Sequence, residues 1–73
     1  MEVINLREDY IKLGQALKAA GFVEDGVEAK IEIQSGNVLV NGEPDLRRGR
    51  KLYENDIVSF HGQEIKIDTV QLA

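Results

Sequence analysis

The chain has 73 residues, a net charge of −4 and a hydrophobic share of 42%, which fits one small domain, residues 1–73, burying only about 60% of the surface its unfolded form exposes. It has no cysteine, which excludes disulfides and thiolate metal sites and fits a reducing, cytoplasmic compartment. No apolar run approaches the ~18 residues of a membrane span, and the opening MEVINLRED lacks the basic-then-apolar pattern of a secretion signal, so no membrane partner is expected.

Glu2-Val3-Ile4-Asn5-Leu6 is β-branched and partly alternating, as in a short strand. Leu13, Leu17 and Ala20 then recur at helical spacing, and Gly21 supplies a stop. The start of this first helix has two readings: a cap at Asp9, or an extended Tyr10-Ile11-Lys12 with the helix beginning near Gly14. A second helix opens at Asp25-x-x-Glu28, close to a capping box in which side chains satisfy free N–H groups. Ala29 and Ile33 lie one turn apart on it, Lys30 faces elsewhere, and Ser35-Gly36-Asn37 ends it.

After Gly36 the period changes. Val38-Leu39-Val40 reads as a strand, and Asn41-Gly42 is the strongest hairpin signal in the chain. Pro44 cannot donate to a ladder, so the return strand must be short or at an edge. Ile57-Val58-Ser59-Phe60 is a further strand, His61-Gly62 a turn, and Ile65 and Ile67 alternate along Glu64 to Asp68. The expected architecture is α+β: an N-terminal strand, then a two-helix motif packed on a small, mostly antiparallel sheet of three or four more short strands.

Catalysis finds no support. His61 is the single histidine, and its place before a glycine suits a turn better than a base or a metal site. Neither serine sits in a nucleophile-elbow pattern, and no glycine-rich phosphate loop occurs. The expectation is a non-enzyme with no cofactor and no metal.

Charge is the informative feature. Four of the five residues from Arg47 to Lys51 are cations, so this stretch carries +4 and the remainder of the chain −8. A domain of this length is about 25–30 Å across, while the Debye length is about 8 Å at physiological salt. Acids on a far face are therefore screened from the loop. Arginine pairs bidentately with phosphate and stacks on exposed bases, and three of the four cations are arginine. Lys18, late in helix one, and Lys30, early in helix two, flank the loop if the helices fold against it; otherwise they are ordinary solvated positions. Tyr53 either stacks on a base or, the expectation preferred here, packs against the sheet. The competing function is a protein-interaction module that docks its basic loop on an acidic partner.

The segment ALKAAGFVEDGVEAKIEIQSGNVLVNGEPDLRRGRKLYENDIV resembles the αL-motif RNA-binding domain of the ribosomal small-subunit protein four family, and within it the small stand-alone bacterial members. The matching pieces are Leu17-Lys18, Gly26 with Ala29-Lys30, Gly36-x-Val38-x-Val40-Asn41-Gly42-Glu43, Arg47-Arg48-x-x-Lys51-Leu52 and Asp56-x-Val58. The resemblance implies an αL-motif core over about residues 10–60. It also implies RNA binding in a ribosomal or transfer RNA context, with ribosomal particles among the partners; separately, a monomer is expected, since nothing in the sequence requires pairing through an edge strand. The matching positions that would contact RNA are Lys18, Lys30, Asn41, Arg47, Arg48, Arg50 and Lys51, with Asn41-Gly42 forming the turn that places the arginines. Asp25 stands where the family pattern has serine, and Val27 where it has a second glycine. Asp25 would itself occupy the N–H groups that a phosphate would otherwise take at the helix start, so no phosphate is expected there. Asn55 replaces the glycine before Asp56, a change in a turn.

Overall fold

The computed structural model describes residues 2–69. In chain order its elements are β1 (Glu2–Leu6), β2 (Ile11–Lys12), α1 (Leu13–Ala19), α2 (Gly26–Gln34), β3 (Val38–Val40), β4 (Glu43–Pro44), β5 (Lys51–Leu52), β6 (Ile57–Phe60) and β7 (Gln63–Thr69). A five-stranded sheet runs β1-β7-β6-β3-β4, and β2 with β5 makes a separate two-stranded ladder. Among the described residues β1 is parallel to β7 and every other pairing is antiparallel. The fold is α+β.

Side-chain alternation decides which face of the sheet is buried. Val58 lies opposite Val40 on one side and Ile65 on the other, while Val38 lies opposite Phe60. All five are buried, so they form a continuous apolar face across three strands. Leu13, Ala16 and Leu17 of α1, with Ala29 and Ile33 of α2, join the same core. Each of the larger side chains contributes about 1.5–3 kcal/mol by leaving water. Phe22, in the link between the helices, stacks on Phe60 with ring centroids 5.7 Å apart.

Both hairpin turns follow from two-residue signals. Asn41 and Gly42 have φ of 53° and 86°, and His61 and Gly62 have 49° and 81°. Each pair sits between directly opposed residues, Val40 with Glu43 and Phe60 with Gln63. Positive φ at both central positions is the type I′ geometry whose twist matches the strands. Pro44 lies in a two-residue strand at the sheet edge, where its missing N–H costs nothing.

The first helix begins at Leu13, and Ile11-Lys12 is extended, so the later of the two readings holds. At α2 the Asp25 carboxylate accepts the Glu28 N–H at 2.8 Å, as expected. The Glu28 carboxylate accepts from Glu24 N–H at 3.2 Å rather than from Asp25, so the reciprocal half of the box is offset by one residue. Two features depart from expectation. Five strands follow the helices instead of three or four, because the short β2–β5 ladder gives no periodic signal. The long axis measures 40 Å, against shorter extents of 22 and 18 Å, so the protein is elongated rather than about 25–30 Å across.

Candidate nucleic-acid interface

The cationic loop is seated on the start of α1 by main-chain bonds. Leu13 N–H donates to the Arg50 carbonyl at 2.8 Å, and Gly14 N–H to the Arg48 carbonyl at 3.0 Å. These are two of the N–H groups that a helix start leaves without intrahelical partners. Gly14 permits the approach: a Cβ there would lie 2.8 Å from Arg48 Cγ. Farther along, Leu52 is fully buried and pairs with Ile11, which anchors the end of the loop.

Asp45 organises the loop from within. Its side chain is 6% exposed and takes both Arg47 and Arg50 as ion-pair partners, at 2.9 and 2.8 Å. Arg47 makes a fork, Nε to Oδ1 at 3.1 Å and Nη2 to Oδ2 at 2.9 Å, while its N–H also donates to Oδ1 at 2.9 Å. Hydrogen bonds from the Arg47 guanidinium, then from its N–H and from Arg50, hold the Asp45 carboxyl well below the usual carboxylate range, although burial opposes them. The same contact raises the pKa of Arg47. Two of the four loop cations are thus partly neutralised, yet the Arg47 side chain remains 73% exposed and keeps free donor groups.

Arg48 is differently placed. It lines a cleft of about 310 Å³ with Lys12, Gly14, Gln15, Lys18, Gly26 and Gly49. No acidic residue lines it. Among the described residues, Arg48, Lys12 and Lys18 form no ion pair. A second hollow is lined by Arg47, Gly49, Arg50 and Lys51, so Gly49 is common to both. Lys12 and Lys51 are directly opposite each other in the β2–β5 ladder, an arrangement in which like charges cost stability.

The structure therefore brings Lys18, Arg47, Arg48, Arg50 and Lys51 to two adjoining hollows. Lys30 lines neither; it is exposed one turn beyond Gly26 on α2, hence on the same helix stripe. Asn41 is committed internally: its amide donates to Asp56 at 3.0 Å and accepts from Ile57 N–H at 2.9 Å, so it braces the hairpin. Tyr53 does not pack against the sheet as preferred from sequence. It is 49% exposed, with its ring 6.0 Å from that of Tyr10. The neighbouring Tyr10 ring covers part of its apolar area. Sequence reasoning missed Lys12. Its signal is Lys12-x-x-Gln15-x-x-Lys18, polar residues repeating every third position at the helix start.

Elsewhere, Asn55 takes φ 74° in the turn before β6, the conformation that glycine supplies most readily. Among the described residues no group of His, Cys, Asp and Glu could hold a metal, and no helix is long and apolar enough to cross a membrane.

Comparison with known proteins agrees with the fold. The chain is 48% identical over 59 residues to the probable ribosome maturation protein RlbA of Bacillus subtilis (strain 168), covering 81% of this chain and 83% of that protein. It is 33% identical over 61 residues to the putative RNA-binding protein YbcJ of Escherichia coli (strain K12), covering 84% and 87% respectively. The solution structure of E. coli YbcJ, described as revealing an αL motif involved in RNA binding, matches with a TM-score of 0.71 and 32% identity over 93% of this chain and 87% of that one. The S4 domain family matches residues 4–68, nearly the whole span in which the helix pair, the sheet and the cationic hollows lie, and the chain belongs to that family.

Proposed function

We propose that this protein is a non-catalytic, cytoplasmic RNA-binding protein that holds structured RNA in a ribosomal or transfer RNA context. The observation that carries the reading is the cleft where Lys12 of β2, Lys18 of α1 and Arg48 of the loop before β5 meet with no carboxylate in its lining. Three unpaired cations at one cleft repel one another, and the facing Lys12 and Lys51 add to that repulsion. A phosphate backbone relieves it. The names of the Bacillus and Escherichia relatives support RNA as the polyanion, and the former supports a ribosomal particle as its setting.

Reversing Arg47 would set a second carboxylate against buried Asp45 and leave Arg50 as its remaining guanidinium partner, so Arg48 and Lys18 are the better probes. The double variant Arg48→Glu, Lys18→Glu should keep the wild-type circular dichroism spectrum and lose at least about 100-fold in affinity for a ribosomal RNA hairpin, measured by fluorescence anisotropy in low salt. Unchanged affinity in a folded double variant sinks the proposal. If partners captured from cells survive ribonuclease treatment while RNA binding is absent, the basic loop docks on an acidic protein instead.

A further inference from the structure

A second cleft adjoins the cationic one and has a different chemistry. Its volume is about 440 Å³, and it shares Gln15 and Lys18 with its neighbour. Leu6, Tyr10, Ile11 and Ala19 give it apolar and aromatic wall, and Asn5 and Glu8 supply hydrogen-bonding groups. Arg7 and Lys18 line it beside Glu8, so charge alone does not turn a phosphate away; the apolar and aromatic wall suits a base, and the Glu8 carboxylate can accept from its exocyclic amino group. Tyr10 has two neighbours. The Tyr53 ring lies 6.0 Å away at a tilt of 51°, and the Lys51 ammonium sits 4.8 Å from the Tyr10 ring centroid.

Bases within an A-form duplex are stacked and poorly accessible, so proteins read RNA mostly through unpaired bases laid on aromatic rings. We propose that this cleft takes one unpaired nucleobase of the bound RNA, stacked on the face of the Tyr10 ring that Lys51 does not cover, while an adjacent phosphate lies between Lys18 and Arg48. The inference rests on the RNA-binding reading and deepens it. The preferred RNA is then a duplex interrupted or ended by an unpaired base, rather than a continuous helix. Lys18, lining both clefts, serves as the hinge point between phosphate and base.

The test compares a blunt RNA duplex with the same duplex carrying one bulged 2-aminopurine. The bulged RNA should bind about 5- to 100-fold more tightly, with its fluorescence quenched on stacking. Tyr10→Leu should remove both the preference and the quench, Tyr10→Phe should keep them, and duplex affinity should be the same in all three proteins. Ala19→Gln offers a second route: Ala19 is exposed, so this change crowds the cleft without touching the core, and it too should remove the preference. Equal affinity for the two RNAs, or a preference that survives both Tyr10→Leu and Ala19→Gln, overturns the base site. Failure of the underlying reading looks different: neither RNA would then respond to Arg48→Glu.

Discussion

At the residue scale Asp45 does more than any cation to shape the interface. Among the described residues it is the one charged residue in the buried set, and it aims two arginines by four hydrogen bonds. Its carboxyl is held below the ordinary value chiefly by the Arg47 side chain. A depressed carboxylate contributes stability in full above its unfolded pKa, about 3.9, and loses that contribution as pH falls from there toward the folded value. Asp45→Asn keeps an acceptor for the Arg47 N–H but turns an NH2 group on both guanidinium groups, because Oδ2 accepts from Arg47 and Arg50 alike. It should cost about 1–2 kcal/mol near pH 7, moderated because Arg47 is mostly in solvent. Urea midpoints from pH 7 to pH 2 check this: the difference between wild type and variant should shrink below about pH 4, and a constant difference refutes the role given to the charge. None of this was visible in the sequence, where Asp45 is one of four acids near the loop and only folding selects it. Lys12 escaped for a related reason: its three-residue spacing from Gln15 and Lys18 is a weak signal, and only folding shows which cations it meets.

At the element scale the legible parts were those with a local cause. Asn41-Gly42 and His61-Gly62 specify turns through backbone conformation alone, and Asp25 specifies a helix start through its own side chain. The β2–β5 ladder has a non-local cause, the docking of residues 48–50 on the start of α1, and no local pattern announces it. The start of α2 also bears on affinity. Gly26 lines the cationic cleft directly after Asp25, whose carboxylate caps the helix. Serine caps about as well as aspartate, so Asp25→Ser should leave stability within about 0.5 kcal/mol. Removing that negative charge beside the cleft should raise RNA affinity about 2- to 5-fold in low salt, with the gain fading as salt increases. Thermal melts and anisotropy titrations measure the two quantities separately; a loss of affinity would assign the Asp25 carboxylate a positive part in binding.

At the scale of the whole molecule, an acidic protein presents a basic patch because its cations are gathered and its acids dispersed. The residues from Arg47 to Lys51 carry +4 in a chain of net −4, and Lys12 and Lys18 join them only through folding. Displacement of counterions from about five phosphates predicts a fall in RNA affinity of roughly 10²–10³-fold between 50 and 200 mM salt. Titrations across that range give the slope directly, and an affinity insensitive to salt is incompatible with the mechanism. The sequence showed the gathering along the chain but not in space, since its reach from helix to loop depends on Gly14 allowing Arg48 so close. The carbonyls of Arg48 and Arg50 complete the opening turn of α1 even as their side chains face the hollows. Grafted into another scaffold, the arginine segment would bring its guanidinium groups and leave behind the amides that seat them; what is portable in this protein is the joint, not the string of residues.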